Sequence, residues 1–201
     1  MIFNQLFDDK SSTYTYIISS GKGREALIID PVIEHTKKYI KILDDLKLKL
    51  VKVIDTHIHA DHISGLNELN KQTECTRIMG EQSESEVIDL RVKENEKVKI
   101  EGVELITLYT PGHTKCSYSY LMNDRVFTGD TLLINGSGRT DFQGGSAVEQ
   151  YDSIFNKLLK LPDKTLVYPA HDYNGKKFST IENERNNNPR LQVNSPDEYI
   201  Q

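Results

Sequence analysis

The sequence predicts an α+β fold in which sheet layers lie between helices. Two observations carry this. Short β-branched and aromatic runs recur from Tyr14 to Tyr168, several of them joined by tight turns. Amphipathic helical stretches are interspersed among them rather than gathered in one block. The composition is that of an ordinary soluble globular protein, 37% hydrophobic and 27% charged over 201 residues, and at roughly 150 residues per domain it reads as one domain over residues 1–201.

The elements follow in order. Tyr14 to Ile18 alternates aromatic and β-branched residues and predicts a strand, turned by Ser19-Ser20-Gly21-Lys22-Gly23. Ala26 to Asp30 is a short buried strand closed by Pro31. Lys37 to Leu48 predicts a helix, with Ile40, Leu43, Leu46 and Leu50 at roughly helical spacing. Leu50 to Ile54 is a strand that runs into Asp55-Thr56-His57, and Ile63 to Asn70 reads as a helix. Glu81 to Lys97 is very polar and reads as a surface segment. Val98 to Ile100 and Val103 to Tyr109 are strands about a Glu101-Gly102 turn, and Ser117 to Met122 with Arg125 to Thr128 forms a hairpin across Asn123-Asp124. Val148 to Leu161 is an amphipathic helix ended by Pro162, and Thr165 to Tyr168 is a strand. Ser179 followed three residues later by Glu182 is a capping-box signal for a last helix.

Charge and composition exclude several classes. A net charge of −5 argues against a general nucleic-acid or anionic-membrane binder, because no excess of cations is available to displace counterions. No apolar run approaches a membrane span, and Asp8 and Asp9 interrupt the N-terminus where an export signal needs an apolar core, so a cytoplasmic location is expected. In that compartment the two cysteines, Cys75 and Cys116, are expected to be half-buried free thiols.

The histidines carry the chemistry. His57-Ile58-His59-Ala60-Asp61-His62 packs three imidazoles and a carboxylate into one strand end, a donor set suited to Zn, Fe or Mn. An extended backbone sends His57 and His59 to the same side. His113 follows Thr110-Pro111-Gly112, Asp130 follows Phe127-Thr128-Gly129, and His171 follows Tyr168-Pro169-Ala170. Each alone reads as an ordinary turn residue. Their repetition of strand, tight turn and ligand points to one converged site.

In this order the motifs HxHxDH, TPGHT, GD and a late His resemble the metallo-β-lactamase fold superfamily over nearly the whole chain. The resemblance implies an αββα sandwich with a metal site at one edge of its two sheets. Two branches fit: glyoxalase II, a two-metal hydrolase of S-lactoylglutathione, and the persulfide dioxygenase family, which uses one iron and O2 to turn glutathione persulfide into glutathione and sulfite. Three stretches are similar to the dioxygenases: Arg139-Thr140-Asp141-Phe142-Gln143, Tyr168-Pro169-Ala170-His171-Asp172-Tyr173, and Glu184 to Leu191. The end near residue 201 also leaves little room for the longer helical C-terminal region of glyoxalase II.

By this resemblance His57, His113 and Asp130 hold one Fe(II) per chain, two imidazoles and one carboxylate leaving open positions for sulfur and O2. His59, Asp61, His62 and His171 then stand behind these ligands and orient them. In the hydrolase alternative the same four ligate two metals that Asp130 bridges. Arg139 and Tyr173 are implied to hold the thiol part of a glutathione persulfide or similar thiol persulfide, the guanidinium suiting a carboxylate. The plain alternatives are an Arg139–Asp141 salt bridge and a packed Tyr173. Family members are often dimers, so a homodimer is compatible with the resemblance. Two departures stand out: Ser137 occupies a position where many relatives carry Cys, and Thr114-Lys115-Cys116-Ser117 lacks the usual Gly.

Overall fold

The computed structural model, which describes residues 1–200, is built from two six-stranded sheets, one from each half of the chain. The first sheet places β1 (Ile2–Asp8), β2 (Thr13–Ser19), β3 (Glu25–Ile29), β4 (Lys49–Ile54), β5 (Thr76–Gly80) and β6 (Leu90–Val92) side by side in chain order. Its first three strands pair antiparallel and β3 to β6 pair parallel. The second sheet orders β7 (Lys97–Ile100), β8 (Val103–Tyr109), β9 (Tyr118–Leu121), β10 (Arg125–Gly129), β11 (Leu166–Pro169) and β12 (Ser179–Thr180) in the same way, with only β10 and β11 parallel.

Alternation along each strand decides which layer it feeds. Tyr14, Tyr16 and Ile18 of β2 and Leu27 and Ile29 of β3 point inward, against Leu105, Tyr120, Phe127 and Tyr168 of the second sheet. Their neighbours Ile17, Ala26 and Ile28 point outward, under Tyr39 and Leu43 of α1 (Thr36–Leu46) and Leu66 and Leu69 of α2 (Leu66–Thr73). On the far side Val126 and Val167 pack under Ile154, Leu158 and Ile181, the last from α4 (Ile181–Asn187). This is the αββα sandwich. Strands buried on both faces favour apolar, aromatic and β-branched residues, which explains the Ala26–Ile29 run of β3 and the aromatic and β-branched run of β2. Among the described residues no helix is long and apolar enough to cross a membrane.

Several boundaries differ from the sequence reading. Helix α1 stops at Leu46 because Lys47 turns left-handed (φ 56°), so Leu50 lies on β4 rather than on the helix stripe. Helix α2 begins at Leu66, after Gly65 presses against Pro31. The helix expected from Val148 is α3 (Ala147–Tyr151), continuing through a wide π turn (Asp152–Lys157) and a 3-10 turn (Leu158–Lys160) before Pro162. The helix expected after Ser179 is α4, capped by Thr180, whose hydroxyl accepts from the Asn183 N–H, while Ser179 belongs to β12. Strands β1, β5, β6 and the two-residue β12 escaped the pattern: β1 is only partly buried at a sheet edge and carries Asn4 and Gln5, and β5 carries Arg77. A short C-terminal helix, α5 (Pro196–Ile200), also went unread and buries Tyr199 in the outer core. Both cysteines are free, and both are fully buried rather than half-buried.

Candidate metal centre

Strands β3 and β4 run in one direction and end at Asp30 and at Asp55-Thr56-His57. Strands β8, β10 and β11 likewise share a direction and end in the turns bearing His113, Asp130 and His171. Two of these turns require glycine. Gly112 sits at φ 138°, where a Cβ would lie 2.3 Å from that of Gln150. Gly129 sits at φ 54°, where a Cβ would lie 2.8 Å from Thr56 Oγ1.

The ends bring His57, His113 and Asp130 together. His57 Nε2 and His113 Nε2 lie 3.8 and 3.5 Å from the same atom, Asp130 Oδ2. Both separations exceed a hydrogen bond, and both fall within about 4.2 Å, the most that two atoms on one ion can span with bonds of about 2.1 Å. The tautomers agree with this. His113 Nδ1 is 2.8 Å from the Arg139 carbonyl, which can only accept, so Nδ1 carries a proton and, in a neutral ring, Nε2 is the bare nitrogen. His57 Nδ1 is 2.9 Å from Thr56 Oγ1. Burial and the neighbouring His59 push the His57 pKa well below its usual value despite Asp130, so the ring is neutral, as a ligand must be. Two bare imidazole nitrogens facing one carboxylate oxygen fit a resident metal ion.

The other four predicted residues lie beside this triad, tied to one another. His171 spans two carboxylates, with Nδ1 2.6 Å from Asp130 Oδ1 and Nε2 2.9 Å from Asp61 Oδ2. Burial alone would lower its pKa, but Asp130 and Asp61 raise it to about 10. Asp61 also accepts from His62 Nδ1 at 2.8 Å and from the Thr13 hydroxyl at 3.2 Å. Burial opposes its ionisation, yet His171 and His62 drive the carboxyl far below the carboxylate range. Thr13 continues through Ser11, 2.7 Å away, to Asp8, so the cluster is anchored to the β1–β2 hairpin. His59 Nε2 is 3.2 Å from Asp30 Oδ1; burial lowers the His59 pKa, but Asp30 and Asp55 raise it to about 9. His59 Nδ1 and His62 Nε2 are buried without a partner.

An open cleft of about 310 Å³ lies over His113, Asp130 and His171, with Arg139, Phe142 and Tyr173 on its rim. The Arg139 guanidinium forms a two-bond pair with Asp141 at 2.7 and 2.9 Å, both side chains being largely exposed. Tyr173 is 71% exposed and its ring lies parallel to that of His171, so it is not a packed core aromatic. Asp30, Thr56 and Thr13 were not singled out from sequence. Asp30 stands, like the others, at the end of an apolar strand, but before its proline rather than after it.

The sandwich and its histidine–aspartate centre define a protein of the metallo-β-lactamase class, and the family model "Metallo-beta-lactamase superfamily" matches residues 8–171. The mouse (Mus musculus) protein "Persulfide dioxygenase ETHE1, mitochondrial" is 41% identical over all of this chain and 79% of its own length. The crystal structure of ETHE1 from Myxococcus xanthus superposes with a TM-score of 0.97 at 45% identity, covering 100% of this chain and 88% of that one. A hydroxyacylglutathione hydrolase of Dictyostelium discoideum is 34% identical over 87% of this chain and 68% of its own length. The chain belongs to the persulfide dioxygenase family of the metallo-β-lactamase superfamily.

Proposed function

We propose that the protein is a persulfide dioxygenase with one Fe(II) per chain held by His57, His113 and Asp130. It takes a low-molecular-weight thiol persulfide, glutathione persulfide or a close analogue, with O2 and water, and yields the free thiol, sulfite and protons. Family membership supports the reaction class. The observation that carries the single ion is the state of His171: both its nitrogens are engaged by carboxylates, so a proton stands where a second metal would need a lone pair.

Each residue's part follows from its contacts. His57 and His113 present bare Nε2 atoms because their Nδ1 protons are held by Thr56 and by the Arg139 carbonyl. Asp130 gives Oδ1 to His171 and keeps Oδ2 for the ion, contributing the one negative charge of the ligand set. His171 keeps its proton on Asp130 Oδ1 through support from Asp61, which limits Asp130 to one ligand atom. Iron(II) bound there supplies one-electron chemistry with O2 and coordination positions for sulfur. Arg139 receives a substrate carboxylate at the rim by exchanging Asp141 for it, and Tyr173 offers its exposed hydroxyl across the cleft.

A dinuclear hydrolase is the second reading, favoured by the unpartnered nitrogens of His59 and His62. Metal content of protein purified under limited oxygen, combined with oxygen uptake on glutathione persulfide, decides between them. One iron per chain with persulfide-dependent uptake is expected. Two metals per chain with S-lactoylglutathione cleavage and no uptake would replace the oxidative reading.

A further inference from the structure

We propose that Asp30 is a positioning residue that makes His57 a metal ligand, by holding the Thr56 hydroxyl in the one orientation that leaves His57 Nε2 bare. The proposal rests on the reading of His57 as a ligand and goes beyond it to the residue that sets its tautomer.

Asp30 is the first residue beyond β3. Parallel pairing of β3 with β4 (Ile29 opposite Ile54) and the bond from Asp30 N–H to the Ile54 carbonyl (2.8 Å) bring it beside Thr56. Its backbone is left-handed, φ 50°, ahead of Pro31, and the residue is 1% exposed. The carboxylate accepts three hydrogen bonds. Oδ1 accepts the Thr56 backbone N–H at 2.7 Å and His59 Nε2 at 3.2 Å, and Oδ2 accepts the Thr56 hydroxyl at 3.0 Å.

The consequence follows from counting hydrogens. A threonine hydroxyl has one proton, and Asp30 takes it. Toward His57 Nδ1, 2.9 Å away, Thr56 Oγ1 therefore acts only as an acceptor. The neutral ring has one N–H, which must be on Nδ1, and the Nε2 lone pair is left facing Asp130 Oδ2. Without Asp30 as acceptor the hydroxyl turns and donates to Nδ1. The ring proton then moves to Nε2, toward Asp130, and occupies the ligand position. Gly129 belongs to the same device, because a Cβ there would displace the Thr56 hydroxyl. Asp30 also accepts from His59 Nε2–H, while His59 Nδ1 has no partner.

The test uses Asp30→Asn, Thr56→Val and Thr56→Ser in the full chain. Asparagine tolerates φ near +50° as aspartate does and keeps its shape, but its amide has a single acceptor oxygen. Ring-nitrogen NMR of metal-free protein reads the His57 tautomer, and competition titration with Co(II) reads affinity without any turnover. In Asp30→Asn and Thr56→Val the His57 proton is expected on Nε2 and Co(II) binding roughly 10- to 100-fold weaker, the usual effect of losing a partner behind a metal ligand. Thr56→Ser is expected to restore both. A purely structural role would lower the melting temperature without moving the tautomer. If Asp30→Asn does not fold, Thr56→Val decides alone. Folded Thr56→Val that keeps the Nδ1 proton and wild-type Co(II) affinity overturns the proposal. His57→Ala serves as control: unchanged affinity there sinks the ligand assignment itself, whereas lost affinity there with an unchanged Thr56→Val sinks only the relay.

Discussion

The two halves of the centre use the same residue types and end in opposite states. On one side His57 and His113 give their protons away from the site and leave lone pairs converging on Asp130 Oδ2. On the other side His171, Asp61 and His62 spend their protons and lone pairs largely on one another and on Thr13. The difference lies in what stands behind each ring. A carbonyl or a committed hydroxyl behind an imidazole leaves it a ligand, while a carboxylate on each side makes it a charged bridge. In the proposed assignment, metal competence is a property of the supporting partners, not of the histidine count.

Asp130 is shared by both halves, so its loss is expected to have the largest effect. Asp130→Ala should abolish iron loading, weakening affinity by well over the roughly 100-fold that outer partners cost, as measured by metal content after dialysis. Full iron occupancy in that variant would remove Asp130 from the ligand set. His171→Ala is expected to separate the halves, keeping one iron per chain while turnover falls roughly 10- to 100-fold. A drop from two metals to one in this variant would instead make the closed half a second metal site. Arg139→Ala probes the rim and should raise the KM for glutathione persulfide about tenfold, close to one charge-assisted hydrogen bond, with iron content unchanged. Identical kinetics would confine Arg139 to its pair with Asp141.

The smallest effect is expected where the closed half is anchored. Burial would raise the Asp8 carboxyl, but Ser11 and His35 hold it at about 2. A free aspartate titrates near 4, so Asp8 stabilises the fold fully above about pH 4, and its contribution is lost as pH falls through about 2. Asp8→Asn should therefore cost about 1 kcal/mol at neutral pH, with the penalty vanishing at the acid end of a pH series of denaturant melts. A penalty that persists at pH 2 would assign the loss to packing rather than charge.

Much of the fold was legible because strand burial writes itself as apolar runs. β2, β3, β4 and β7 to β11 were all readable, and β1, β5, β6 and the two-residue β12 were not, since edge position, charged outward residues and short length blur the pattern. The positions proposed as ligands were legible for a local reason: each follows the end of a strand within four residues. The sequence by itself determined which side chains reach the edge shared by the strand ends. Only the tertiary structure decided which nitrogens are bare, because the partners that take their protons come from distant segments. Asp30 meets Thr56 across 26 residues, His113 meets Arg139 across 26, and Thr13 meets His171 across 158. Such hydrogen bonds exist only after the two sheets close and the strand ends share one edge. A tautomer, unlike a strand, therefore leaves no periodic trace along the chain.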